Sequence, residues 1–213
     1  IGQFSASITP GMLRSAFKKI GFTGMVEVAL FADVLTLKEA LEFDRNILSD
    51  RDYMLTSCCC PIWIAMIRKV YNQFLPHVPG SVSPMVACGR SIKYLEPDAT
   101  TVFIGPCIAK KSEAREPDIA DAVDFVLTFQ EVRDLFEAFE LDLSKMEDDP
   151  REHSSKAGRI YARTGGVSQA VQSTVALLNP NRAIMVRAQQ ADGVPACREM
   201  LGALREGKIE ANF

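Results

Sequence analysis

Apolar positions along the chain switch repeatedly between helical spacing and the strict alternation of a strand. Thr9-Pro10 opens the first helix, with Thr9 as N-cap and Pro10 at the first helical position, and it runs towards Ile20. Met25–Leu30 alternates as a strand. Thr36-Leu-Lys-Glu39 has the form of a capping box and predicts a helix through about Ile47. Tyr53–Thr56 predicts a short strand, and Trp63, Met66, Ile67, Val70 and Phe74 then recur at helical spacing. Cys88 falls within a helix after Pro84. Thr101–Ile104 and Asp124–Leu127 are apolar strands, the first closed by Gly105-Pro106. A second capping box, Thr128 to Glu131, opens a helix to about Phe139. The acidic, polar stretch Asp142–Lys156 reads as a long loop. Beyond it come a strand at Arg159–Ala162, a turn at Thr164-Gly165-Gly166 and a helix over Val167–Leu178. A strand at Ala183–Arg187 and a helix at Pro195–Arg205 follow, and the last residues, KIEANF, read like the start of another strand.

Strands alternating with helices of this length predict an α/β fold, with repeated βαβ units forming mostly parallel sheets and helices on both faces. Function in such folds gathers at the carboxyl ends of strands. Cys58, Cys59 and Cys60 follow the strand ending at Thr56, Cys107 follows the strand ending at Ile104, and the Thr164–Gly166 turn follows a third. One site assembled from these loops is the expectation.

Composition narrows the field. The 213 residues are 47% hydrophobic and 24% charged, with a net charge of -3, so no basic surface points to nucleic acid or an anionic membrane. No apolar run reaches membrane-spanning length, and the first residues lack a basic segment followed by an apolar one, so a cytoplasmic protein is expected. In a reducing compartment six cysteines read as thiols or metal ligands rather than disulfides. His77 and His153 have no partner at ligand spacing and read as solvated loop residues.

The cysteines carry the chemistry. Cys60 precedes Pro61 at a helix start, where free N–H groups and the macrodipole favour thiolate. In GPCIAKKSEA, Gly105 and Pro106 turn Cys107 outward, and Lys110 and Glu113 follow on the same side of a short helical turn. The plainer alternatives are small buried cysteines and a solvated Lys-Lys-Ser-Glu face. Zinc fits poorly without a C-x-x-C or a histidine pair, and a thiol protease lacks its histidine. Soft thiolates on separated loops are the donors that iron–sulfur clusters select. Cys88 and Cys197 read as packing residues inside helices.

Three signatures then resemble one family. TSCCCPIW is similar to T-S-C-C-P-x-W, GPCIAKKSEA to M-P-C-x-x-K-K-x-E-A, and YARTGGVSQA to F-G-x-T-G-G-V-x-E-A, all from the catalytic domain of iron-only ([FeFe]) hydrogenases. SVSPM and DFVLTFQEV also match by position. The resemblance implies an iron-hydrogenase-like fold and reversible H2 oxidation and proton reduction at an H-cluster, a [4Fe–4S] cluster joined to a diiron centre. By resemblance Cys60 and Cys107 are metal ligands. Cys59 passes protons to the diiron site, Lys110 anchors an iron-bound cyanide, and Glu113 and Glu42 are carboxylates of the proton path. Ser57, Met85, Pro106, Thr164, Gly165 and Gly166 fall beside the cofactor. Implied partners are H2, protons and a ferredoxin-like electron donor or attached cluster domains, with no nucleic acid and no membrane span.

The departures are specific. Aligning on Pro61 and Trp63 puts Cys58 in a serine's place, whereas aligning on Thr56-Ser57 shifts each cysteine role by one. Gly105 replaces a methionine, Met85 a glutamine, Tyr161 a phenylalanine, and Pro79 stands where the usual proton path has a serine. These changes resemble divergent members that sense H2 or redox state. The family's third motif, with two more cysteines, is not in the sequence. The expectation is a partial catalytic domain over 1–213, with the first two motifs in about 1–127 and the Thr-Gly-Gly segment in about 128–213. On that reading the chain alone holds half a ligand set, no complete cluster and no activity. A sensor, a non-catalytic iron–sulfur scaffold and a plain α/β domain are the alternatives.

Overall fold

A computed structural model describes residues 4–56, 59–151 and 153–213. The chain forms two compact units, each made of an early and a late segment. The first comprises Ile1–Val28 and Met85–Ser154, the second Ala29–Pro84 and Ser155–Phe213.

In the first unit, helix α1 spans Pro10–Lys19 and starts as the sequence predicts, with Thr9 Oγ1 accepting from Met12 N at 3.1 Å. Its buried face, Leu13, Ala16 and Phe17, packs against Val132 and Phe136 of α6 (Phe129–Ala138). Strands β1 (Val102–Gly105) and β2 (Phe125–Thr128) pair in parallel, Val102 opposite Phe125 and Gly105 opposite Thr128. Between them lies α5 (Ala109–Glu113). Helix α4 (Pro84–Leu95) buries Val86 with Ala122 and Val123.

In the second unit, α2 (Ala29–Asn46) packs along α8 (Gly166–Leu178) and α7 (Lys156–Ile160). Ala40, Phe43 and Ile47 meet Val167, Val171 and Val175 in the core. Helix α3 (Pro61–Val70), followed by a 3-10 turn at Asn72–His77, packs against α9 (Gly193–Arg205) through Trp63, Ile67, Phe74 and Leu201.

Several expectations need correction. The segment Met25–Leu30 is not a strand: 25–27 run without a partner strand and α2 already begins at Ala29. Thr36 is therefore inside a helix rather than its cap, and its hydroxyl bonds back to Ala32 O at 2.8 Å. Arg159–Ala162 is helical at its start, because the Ser155 hydroxyl caps α7 by accepting from Gly158 N. Tyr53–Thr56 and Ala183–Arg187 are not paired as strands. Met54 N donates to Asn212 O and Leu55 N to His77 O, so the first segment divides its bonds between two partners, while Arg187 O of the second accepts from both Asn212 N and Phe213 N. The Asn212 side chain takes over part of the pairing, accepting from Arg187 N at 2.7 Å and donating to Met185 O at 3.0 Å. Among the described residues the parallel sheet has two strands, fewer than the alternation predicts, and the architecture is a helix-rich α/β fold.

Neither histidine is simply solvated. His77 stacks on Tyr53 with centroids 4.0 Å apart, and its Nδ1 lies 3.2 Å from the Tyr53 carbonyl. His153 has a buried Nδ1 with no hydrogen-bond partner among the described residues.

Candidate functional site

In the second unit a cavity of about 400 Å³ is lined by Cys59, Cys60, Thr56, Tyr161, Thr164, Gly165 and Cys197, among others. Its walls come from the segment before α3, the turn before α8 and the start of α9. Cys60 is the N-cap of α3, in extended conformation, and its carbonyl accepts from Ile64 N at 3.0 Å. Its thiol caps no backbone N–H, so the sulfur is free of that duty at the positive end of the helix. Cys59 is half-buried and packs against the core around Ala40, Phe43 and Tyr161. Ser57 and Cys58 lie outside the described residues.

The glycines shape the turn. Gly165 has φ 72, and a Cβ there would stand 2.3 Å from the Gln190 side chain. A Cβ on Gly166 would stand 2.1 Å from Ile160 O. The main chain therefore passes close to its neighbours, and α8 starts tight against the end of α7. Thr164 is exposed at the rim.

Two residues of this site were not assigned from the sequence. Cys197, read as packing, lines the cavity as well as packing near Cys60, and burial pushes its thiol up, with the Cys60 and Asp192 charges adding to that. Its helix-face periodicity hid it. Glu39 is fully buried, and its carboxylate accepts from Thr56 Oγ1 at 2.9 Å and from the Tyr161 hydroxyl at 3.3 Å. The signal for it was the i, i+3 spacing to Glu42 on α2, masked by the capping-box reading. Glu42 itself is half-buried, 3.5 Å from Lys38 Nζ, and Lys38 also donates to Gly80 O and Ser81.

In the first unit, Cys107 follows β1 and is half-buried, with Pro106 exposed beside it. Its carbonyl accepts from Lys110 N at 3.2 Å. Lys110 Nζ donates to Glu113 Oε2 at 2.5 Å, and both side chains are about nine-tenths covered. Met85 is buried with Val86, Ala122 and Val123. Cys88 is a packing residue as expected, its thiol pushed up to about 11 by burial.

Residues 1–213 match the family described as iron only hydrogenase large subunit, C-terminal domain. The chain belongs to that family. It is 30% identical over 187 residues to the periplasmic [Fe] hydrogenase large subunit of Nitratidesulfovibrio vulgaris, covering 79% of this chain and 44% of that protein. It is 26% identical to iron hydrogenase 1 of Clostridium pasteurianum, covering 78% of this chain and 32% of that one. A more distant likeness, 28% identity over 67% of this chain and 28% of the relative, is to the cytosolic Fe-S cluster assembly factor NAR1 of Botryotinia fuckeliana. The chain spans less than half the length of these curated relatives. Its fold is that of the [FeFe]-hydrogenase HydA1 from Chlamydomonas reinhardtii, with a TM-score of 0.76 over 97% of this chain and 70% of that one, at 20% identity. Among the described residues no helix is long and apolar enough to cross a membrane.

The donors present suit an iron–sulfur group by type. Thiols at Cys60 and Cys107 are half-buried, and Cys60 opens onto a cavity. Among the described residues no three His, Cys, Asp or Glu side chains converge as a closed metal site.

Proposed function

We propose that this chain is part of an iron-only hydrogenase catalytic domain, with Cys60 and Cys107 as two of the iron ligands. The observation that carries the reading is the cavity lined by Cys59, Cys60, Thr56 and Tyr161, the last two of which hold the buried carboxylate of Glu39 behind them. When bound, the iron–sulfur and diiron group would supply the centre at which protons and electrons combine reversibly to H2.

The chain's own residues would hold that group and move protons. Cys60 presents its sulfur at the N-terminus of α3, with no backbone N–H taken up by it. Cys59 is the neighbouring thiol able to give and take a proton. Glu39 is a buried acceptor, and Glu42 lies one helical turn further along α2, where Lys38 pairs with it and itself reaches the exposed Gly80. Thiol, buried carboxylate and half-buried carboxylate all belong to the second unit and would in that order form the route from cavity to surface. Lys110, paired here with Glu113, would supply a cation for an anionic ligand of that group. Electrons would come from a ferredoxin-like partner or attached cluster domains.

Reconstitution tests the ligands. Given iron and sulfide anaerobically, the 213-residue chain is expected to take up iron below one [4Fe–4S] per chain. That uptake should fall in Cys60→Ala and Cys107→Ala and persist in Cys88→Ala, read by iron analysis and visible absorption. A stoichiometric cluster, or uptake indifferent to Cys60 and Cys107, would contradict the assignment. A second reading, a non-catalytic iron–sulfur scaffold, is favoured by the likeness to the NAR1 assembly factor. Retention of Cys59, Lys110 and Glu113 speaks against it, since a scaffold requires neither a proton relay nor a cation for an iron-bound anion. H2 turnover by the parent protein, and its loss in Cys59→Ala, separates the two. Sensing differs from both in retaining the cluster with little turnover.

A further inference from the structure

Glu39 is the most completely buried carboxylate among the described residues. Each oxygen has its own hydroxyl: Oε2 accepts from Thr56 and Oε1 from Tyr161. Tyr161 is 2% exposed and packs among Phe43, Val167 and Ala170, so its ring is a core residue while its hydroxyl is spent on the carboxylate. A phenol in such a place is worth having over phenylalanine only if its hydroxyl finds a partner.

The arrangement has a direction. An ionised carboxylate only accepts hydrogen bonds, and two hydroxyls donating to it favour that form. Burial opposes it. On α2 the charged neighbours are Lys38, next in sequence, and its partner Glu42, one turn on, with Asp33, Asp44 and Arg45 further along the helix. From α7, Lys156 and Arg159 are both exposed to solvent, and α8 contains no ionisable residue. The segment before α3 brings Tyr53, stacked on His77, and Cys59.

We propose that Tyr161 is a positioning residue for the proton route: with Thr56, which like Tyr161 lines the cavity, it fixes the orientation of the buried Glu39 carboxyl group. The destination of the proton rests on the hydrogenase reading, whereas the coupling of Tyr161 to Glu39 belongs to the metal-free chain.

The test uses that metal-free, full 213-residue chain. A pH titration followed by infrared difference spectroscopy reads the carbonyl band of protonated Glu39, assigned by its loss in Glu39→Gln. If that variant does not fold, Glu39→Asp assigns the band by shifting it. Tyr161→Phe keeps the ring and is expected to move the midpoint up by about one pH unit, the loss of one hydrogen bond to a charged group. Thr56→Val should move it in the same direction, and Thr56→Ser should leave it in place. A midpoint unmoved in Tyr161→Phe overturns the proposal, whatever Thr56→Val does, because Tyr161 then only packs. Failure of iron reconstitution would sink the hydrogenase reading and leave this titration standing.

Discussion

Lys110 and Glu113 sit three residues apart on α5 and close a 2.5 Å ion pair with about a tenth of each side chain exposed. Breaking such a pair from one side strands a covered charge, which costs more than the pair contributes. Lys110→Met is therefore expected to destabilise the chain by about 2–4 kcal/mol, and adding Glu113→Gln should return much of that loss, measured as a double-mutant cycle in urea. The ion pair is seen only in the structure, but the shared side of the turn was legible in the i, i+3 spacing. Glu39 was not. Its local sequence, Thr-Leu-Lys-Glu, is identical to a helix start, and only the distant Thr56 and Tyr161 show that the carboxylate turns inward. Cys197 was hidden for the same reason: a helical face looks alike in sequence whether it meets core or cavity.

Helix α6 begins with a capping box complete in both directions: the Thr128 hydroxyl accepts from Glu131 N, and the Glu131 carboxylate accepts from Thr128 N. Lys111 also donates to Glu131, and foremost through that bond, then through Thr128, the carboxyl is pulled from 4.5 to about 2. A folded value below the unfolded one stabilises the folded chain above about pH 4.5, and the contribution fades as pH falls towards 2. Acid unfolding of Glu131→Gln should therefore depend less on pH across that window than unfolding of the parent chain, followed by circular dichroism. Capping signals proved reliable where the next residues continued a new element, as at Thr9 and Thr128. They misled at Thr36, where a helix had already been running since Ala29. At the other end of α2, Arg182 bonds to the carbonyls of Asp44 and Ile47, and its guanidinium lies 5.1 Å over Phe43. No local pattern announces such a cap, since its donor comes from beyond α8.

At the scale of the whole chain, the parallel pairing of β1 and β2 and the order of helices were readable from alternating periods. The segments at 53–56 and 183–187 were over-read as strands, because apolar alternation reports burial of one face and not the partner that completes a ladder. The motifs of the family also kept their order without respecting the compact units: the Cys59–Cys60 and Thr164–Gly166 loops share the second unit although more than a hundred residues separate them, whereas Cys107 is in the first.

That interleaving sets an order of assembly on the ribosome. Both halves of the first unit have been made once Ser154 has emerged, but Phe43 and Ile47 must wait for Val171 and Val175 before their core can close. Contacts so far apart in sequence form late. In nascent chains arrested after Ser154 has emerged, limited proteolysis should still cut within 29–84, and those cuts should stop once the full chain is released. The stretch bearing the paired cysteines would thus be the last to lose its appeal to chaperones, and the longest open to any factor delivering iron and sulfide.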